Sequence, residues 1–166
     1  MSRKKTFKRA SHISVAQNAD AHRFPAIERS AGKAFRDIPA LAWIADDEVT
    51  PASAYIPLIA QKSVWVARIG MRPVGFLSAE QFGDELHLWQ LAVESTFQRY
   101  GIGTRLLVAS RQYCEQNKVN SITLTTFRGV PWNAPFYSNH GFVELAEHQQ
   151  SRHLRSVLGG PWSRAS

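Results

Sequence analysis

Three apolar runs between turn residues dominate the middle of the chain. Val64-Trp65-Val66-Ala67-Arg68-Ile69 is rich in β-branched and aromatic residues and stops at Gly70-Met71-Arg72-Pro73. Residues 74–79 and 86–93 follow, separated by a turn at Gly83-Asp84. Short apolar runs joined by tight turns predict an antiparallel meander. The period then changes: Leu106, Leu107, Ser110 and Cys114 recur at helical spacing and predict a helix over residues 104–117, with Cys114 as a core residue. A β-branched strand at 122–127 follows. A short helix begins near Asn133 and ends at Gly141 in a left-handed cap, and two last strands lie near 142–148 and 153–158, the second broken by Gly159-Gly160-Pro161.

Upstream, a strand is expected over residues 12–17. Asp20 caps a helix that runs to about residue 35, with Phe24, Ile27, Ala31 and Phe35 at helical spacing, although Pro25 leaves its start open. Residues 40–48 read as a loop. Thr50-Pro51 starts another helix that reaches Gln61 unless Pro57 ends it. A meander followed by a strand–helix–strand crossover is an α/β or α+β sandwich.

The junction between strand 86–93 and helix 104–117 carries candidate chemistry. It reads Gln98-Arg99-Tyr100-Gly101-Ile102-Gly103-Thr104. Two glycines one residue apart let the backbone bend where the first N–H groups of a helix lack partners, and those donors suit phosphate oxygens. A dinucleotide fingerprint needs a third glycine where Leu106 stands, and a P-loop needs Gly-Lys-Ser/Thr, which the chain lacks. The pattern Q/R-x-x-G-x-G instead resembles the acetyl-CoA loop of the GNAT N-acetyltransferases. Downstream, Trp132-Asn133-Ala134-Pro135-Phe136-Tyr137-Ser138-Asn139-His140-Gly141-Phe142 resembles the second signature of that family, an Asn at a short helix and then Phe-Tyr-x-x-x-Gly-Phe. The two occur in family order, and the likeness spans about residues 24–146.

The resemblance implies a GNAT fold, a mostly antiparallel sheet of six to seven strands flanked by helices. It implies acetyl-CoA as co-substrate and direct transfer to a primary amine in a ternary complex. By the same resemblance the donor is held by Leu91, Ala92, Val93, Gln98, Arg99, Tyr100, Gly101, Ile102, Gly103, Thr104 and Asn133. The Val93 N–H is the oxyanion donor, and Tyr137 protonates the leaving sulfur. Asn133 serves equally well as a plain helix cap.

The base stays open. Gln90 stands where many relatives carry Glu, and an amide takes no proton. His87, four residues before Leu91, has a titration range suited to the task, and Glu28 and the Asp46-Asp47-Glu48 cluster are the other candidates. Glu28, Trp43, Asp46 and Asp47 form the expected acceptor side, because acids beside an aromatic ring attract an amine cation.

Composition narrows the rest. A chain of 166 residues is one domain, expected over residues 10–160, with a basic arm at 1–9 and a tail at 161–166. The net charge of +7 is concentrated in the arm: Arg3, Lys4, Lys5, Lys8 and Arg9 leave 15 basic against 13 acidic residues beyond it. Nucleic acid is therefore not the expected partner. No run of 18 or more apolar residues predicts a membrane span. The basic start lacks the apolar stretch of a secretion signal, and the single Cys fits a reducing cytoplasm. The six His show no metal-ligand spacing, so no metal is expected. The expected partner is a small-molecule amine, and a homodimer is compatible with the chain. The rival readings are acetylation of a protein N-terminus or lysine, and an acyl-CoA-binding regulatory module.

Overall fold

The computed structural model describes residues 11–126 and 132–159. The basic arm, Phe127 and residues 160–166 lie outside the described residues. The described chain divides into two compact units on either side of the Ile122–Thr123 bond.

The first unit is built on the meander. Strands β1 (Ser11–Val15), β2 (Val64–Ile69), β3 (Arg72–Phe82) and β4 (Glu85–Val93) pair antiparallel in sequence order, and β5 (Ser121–Leu124) completes a five-stranded sheet in the order β1-β2-β3-β4-β5. Helix α1 (Phe24–Gly32) is flanked by 3-10 turns at Asn18–Arg23 and Lys33–Asp37. The single helix expected from residue 20 is thus broken, because Pro25 can occupy only the first turn of the α-helical part. The expected loop at 40–48 is largely a 3-10 turn at Pro39–Asp46. The expected helix from Thr50 likewise splits into a 3-10 turn at Ala52–Tyr55 and the short α2 (Ile56–Ala60), with Pro57 in its first turn. Helix α3 (Ile102–Gln116) follows β4 through the glycine loop.

The two faces of the sheet are covered differently. Phe24, Ile27, Tyr55 and Ile59 pack with Val64, Val66, Phe76 and Ala92 on one face. There Phe24 stacks on Phe76 at 4.2 Å between ring centroids, and Tyr55 meets Phe24 and Phe76 edge-on at 5.2 and 5.3 Å. Helix α3 takes the other face: Trp65 meets Tyr113 edge-on, and the Tyr113 hydroxyl donates to Gln81 at 2.8 Å.

The second unit holds α4 (Asn133–Asn139) and α5 (Arg152–Gly159). Gly141, at φ 86°, ends α4 as expected, and the Phe142 N–H reaches back to the Tyr137 carbonyl at 3.0 Å. The two final strands are not present among the described residues. Residues 142–146 are irregular, and the expected strand at 153–158 is helical. The physical reason is legible: Ser151 Oγ accepts the Leu154 N–H at 3.1 Å as an N-cap, and Leu154 and Val157, three apart, are both buried. Among the described residues the sheet accordingly has five strands rather than six or seven, with the class unchanged.

Candidate active site

Strand β4 carries a bulge that sets which side chains lie under α1. Ser78 opposes Gln90 and Ala79 opposes Leu88, so Trp89 is one extra residue on β4. Residues paired across antiparallel strands share a face. Gln90 and Ala92 therefore lie on the face of Ser78 and Phe76, and His87 joins them as the partner of Glu80. Strict alternation would put His87 with Leu91 and Val93, away from Gln90.

The last residues of β4 present backbone donors. The Glu94 N–H donates to the Val74 carbonyl at 2.8 Å. By the alternation of antiparallel ladders, Gly75–Val93 and Leu77–Leu91 are then non-hydrogen-bonded pairs, so the Val93 and Leu91 N–H groups point away from β3. The N–H groups of Asn120 and Ser121 reach the Asp84 carbonyl and anchor the start of β5 beside the start of β4. Four residues of β5 against nine of β4 stop well short of Val93.

The glycine loop folds back on this strand end, with Gln98 Nε2 donating to the Val93 carbonyl at 2.9 Å. Arg99 (φ 68°) and Gly101 (φ 81°) are both left-handed, and Gly101 is the N-cap of α3. A Cβ on Gly101 would meet nothing within 4 Å. Packing does not demand glycine there, but the backbone conformation does. The first intrahelical bond runs from Arg105 N–H to the Gly101 carbonyl at 3.1 Å. The N–H groups of Ile102, Gly103 and Thr104 precede it, at the positive end of the helix dipole. Gly75 brings the parts together, since a Cβ there would lie 3.2 Å from both the Ala92 carbonyl and the Val93 side chain, and 3.4 Å from Ile102.

On the face of Gln90, α1 delivers Glu28 to β4. Its Oε2 accepts the Thr50 N–H at 3.1 Å and the Tyr55 hydroxyl at 3.2 Å, and the Gln90 side chain also hydrogen-bonds to it. Burial pushes the Glu28 pKa up, and the hydrogen bonds from Thr50, Tyr55 and Gln90 oppose that shift without cancelling it. Burial likewise raises the Tyr55 pKa, reinforced by the Glu28 charge, so this phenol is a fixed donor. Thr50, Tyr55 and Gln90 were not singled out in sequence as partners of Glu28, and no local spacing would have linked three separate elements.

The other expected residues fall as follows. His87 is fully buried and meets Trp89 edge-on at 4.6 Å, and Trp89 Nε1 donates to Glu80 at 3.1 Å. Trp43 is exposed, and Asp46 pairs with Arg36 at 3.3 Å in the open. Asp47 accepts the Glu48 N–H at 3.0 Å. In the second unit, Tyr137 is half-buried between the rings of Phe136 and Phe142, and burial pushes its pKa up to about 12. Its phenol is therefore protonated at neutral pH. Asn133 is the first residue of α4 and donates to Thr126 Oγ1 at 2.7 Å. A groove of about 620 Å³ beside Ile13, Trp65, Val108 and Tyr113 lies on the α3 side of the sheet, the face opposite Glu28. No cluster of three or more His, Cys, Asp or Glu side chains is placed to hold a metal among the described residues, and no helix there is long and apolar enough to cross a membrane.

The family model of the acetyltransferase (GNAT) domain matches residues 60–144. The chain belongs to the GNAT acetyltransferases. Its fold is also that of solved members at low identity. It is similar to the PaiA N-acetyltransferase of Thermoplasma acidophilum, solved in complex with coenzyme A, at TM-score 0.69 and 15% identity over 84% of this chain and 94% of that one. The ribosomal-protein-S18-alanine N-acetyltransferase of Escherichia coli aligns at TM-score 0.64 and 18% identity, over 82% and 79%. An aminoglycoside acetyltransferase from an uncultured soil metagenomic sample, solved with sisomicin, aligns at TM-score 0.62 and 17% identity, over 87% and 97%. This GNAT protein is thus an acyltransferase that uses acetyl-CoA. The open space over Gly101 and the outward amides of α3 suit the pyrophosphate of that donor.

Proposed function

We propose that this GNAT protein acetylates a cationic primary amine of a small molecule, by direct transfer within a ternary complex. The observation that carries the reading is the half-buried Glu28 carboxylate, held by Thr50, Tyr55 and Gln90 against β4. A carboxylate kept there attracts an ammonium group and then takes its proton, directly or through water. Burial supports this role, because a raised pKa makes a carboxylate a stronger base.

Acetyl-CoA, when bound, supplies an activated acetyl thioester. The residues of the chain do the rest. The amides opening α3, with Gln98, Arg99, Tyr100, Gly101, Ile102, Gly103 and Thr104, hold the pyrophosphate. Leu91 and Ala92 line the end of β4, and Asn133 holds the pantetheine arm. The Val93 N–H, directed away from β3, donates to the carbonyl oxygen as negative charge grows there. Glu28 takes one proton from the ammonium group, and the freed lone pair forms the C–N bond. The C–S bond breaks as Tyr137, in the role the resemblance implies, gives its phenolic proton to the departing sulfur, and the phenolate recovers a proton from the new amide nitrogen. Trp43, Asp46 and Asp47 form the outer approach for the cation. The base role passes from His87 to Glu28 in this scheme, since His87 is fully buried and packs on Trp89.

The test is thiol release from acetyl-CoA across polyamines, aminoglycosides, aralkylamines, neutral amines and short peptides. Turnover with cationic small amines supports the reading. Turnover confined to peptides would transfer it to protein acetylation, and coenzyme A binding with no acceptor in any class would favour a regulatory module. Tyr137→Phe should lower turnover about 10²-fold with little change in coenzyme A affinity.

A further inference from the structure

Helix α1 is tied at both ends to the segment that leads from β4 into the glycine loop. Before its first turn, Arg23 Nη2 meets Glu94 Oε1 at 2.8 Å. In its last turn, Ser30 Oγ lies 3.2 Å from Ser95 Oγ and accepts the Ser95 N–H at 3.0 Å. Glu28 sits between these two ties. Glu94 follows Val93, and its carboxylate is buried. Its second oxygen takes Arg72 Nη2 at 2.9 Å, and that guanidinium lies 5.9 Å from the centre of the Phe97 ring.

A buried carboxylate is costly unless it is paired and hydrogen-bonded. Here both of its oxygens are satisfied by guanidinium groups from two separate elements, beside the backbone that presents the Val93 N–H. The two serine bonds add a second attachment less than a full helix beyond. A helix held at both ends cannot slide along the strand or rotate about its axis without breaking one tie. The distance from the Glu28 carboxylate to the donor backbone is set by those ties.

We infer that Glu94 and Ser95 are positioning residues: they lock the helix that carries Glu28 to the donor loop, so that filling the loop orders the acceptor side. The inference rests on the proposed reading of the loop as the acetyl-CoA site and of Glu28 as the base. Linkage makes the effect reciprocal, since whatever steadies one end of the connection steadies the other.

The experiment is amide hydrogen exchange of residues 27–32 with and without coenzyme A, in the wild-type chain, in the Ser30→Ala/Ser95→Ala double variant and in Glu94→Gln. The serine variant removes only partly exposed hydroxyls, so it tests the connection even where Glu94→Gln fails to fold. In the wild type, coenzyme A should slow exchange in α1 roughly tenfold, the size of a typical coupling. In the serine variant coenzyme A should still bind, with affinity within about threefold, while most of the slowing in α1 disappears. A merely structural role would lower protection in α1 equally with and without coenzyme A. Coenzyme A that binds the wild type and leaves α1 exchange unchanged overturns the inference, as does slowing that persists in both variants. Failure of coenzyme A to bind the wild type overturns the reading of the loop itself and the inference with it.

Discussion

The two faces of β4 do different work. The face under α3 is apolar: Leu86, Leu88 and Val93 lie on it, and Leu86 and Leu88 are buried, as are Ile102, Leu106 and Leu107 of α3. The face under α1 begins as a core of Phe24, Tyr55 and Phe76 and then admits Glu28, Gln90, Ser78 and His87. A sheet with one polar side normally turns that side to water. Here short helical pieces cover it, so every polar group needs a partner and charge is held at a cost. This contrast teaches that β4 gives its α3 face to packing alone, while its α1 face combines the aromatic core with the polar groups on which the proposed chemistry rests. The bulge at Trp89 decides which side chains go where.

Glu28→Gln should break the contrast most severely on the chemical side. Turnover should fall about 10³-fold, within the range for a general base, with coenzyme A affinity unchanged. Stability should move the other way. Burial raises the Glu28 pKa above its unfolded value, so the folded state holds that proton more tightly and ionisation with rising pH costs stability. The Gln variant should therefore melt above wild type at about pH 8 and lose that advantage once the pH falls below the unfolded carboxylate range. Equal turnover in the two proteins would remove Glu28 from the chemistry.

Leu106→Ala sharpens the other side. It empties a fully buried site under α3 and should cost about 2–5 kcal/mol in denaturant unfolding. Turnover per folded molecule should stay near wild type. A variant that is stable yet inactive would show that α3 packing feeds the chemistry directly.

Gly101→Val tests the loop that joins the two faces. Coenzyme A at a hundredfold excess over its Kd should stabilise the wild type by about 2.7 kcal/mol. The variant should lose that shift, because a side chain there enters the open space over the loop and opposes a left-handed φ. An undiminished shift would move the donor site elsewhere.

The smallest catalytic effect is expected from His87→Ala. Removing a buried ring that packs on Trp89 should lower the melting temperature and leave the shape of the pH–rate profile intact. Loss of one limb of that profile would return the base role to His87.

The sequence by itself determined the meander, the helix after the glycine loop and the loop at their junction, because each rests on local periodicity or on residues adjacent in the chain. Gly101 in the left-handed region and the Gly141 cap were legible for the same reason. The final helix was also written locally, in the Ser151 cap and the spacing of Leu154 and Val157, but competed with an apolar run that reads as a strand. Tertiary structure alone decided the rest. A bulge leaves no mark in single-strand alternation, since it is defined by a partner that pairs two residues against one. The arrangement around Glu28 draws on α1, the backbone of Thr50, Tyr55 and β4, brought together only when the core around Phe24 and Phe76 closes. Its basicity comes from burial, a property that no residue possesses before the chain has folded.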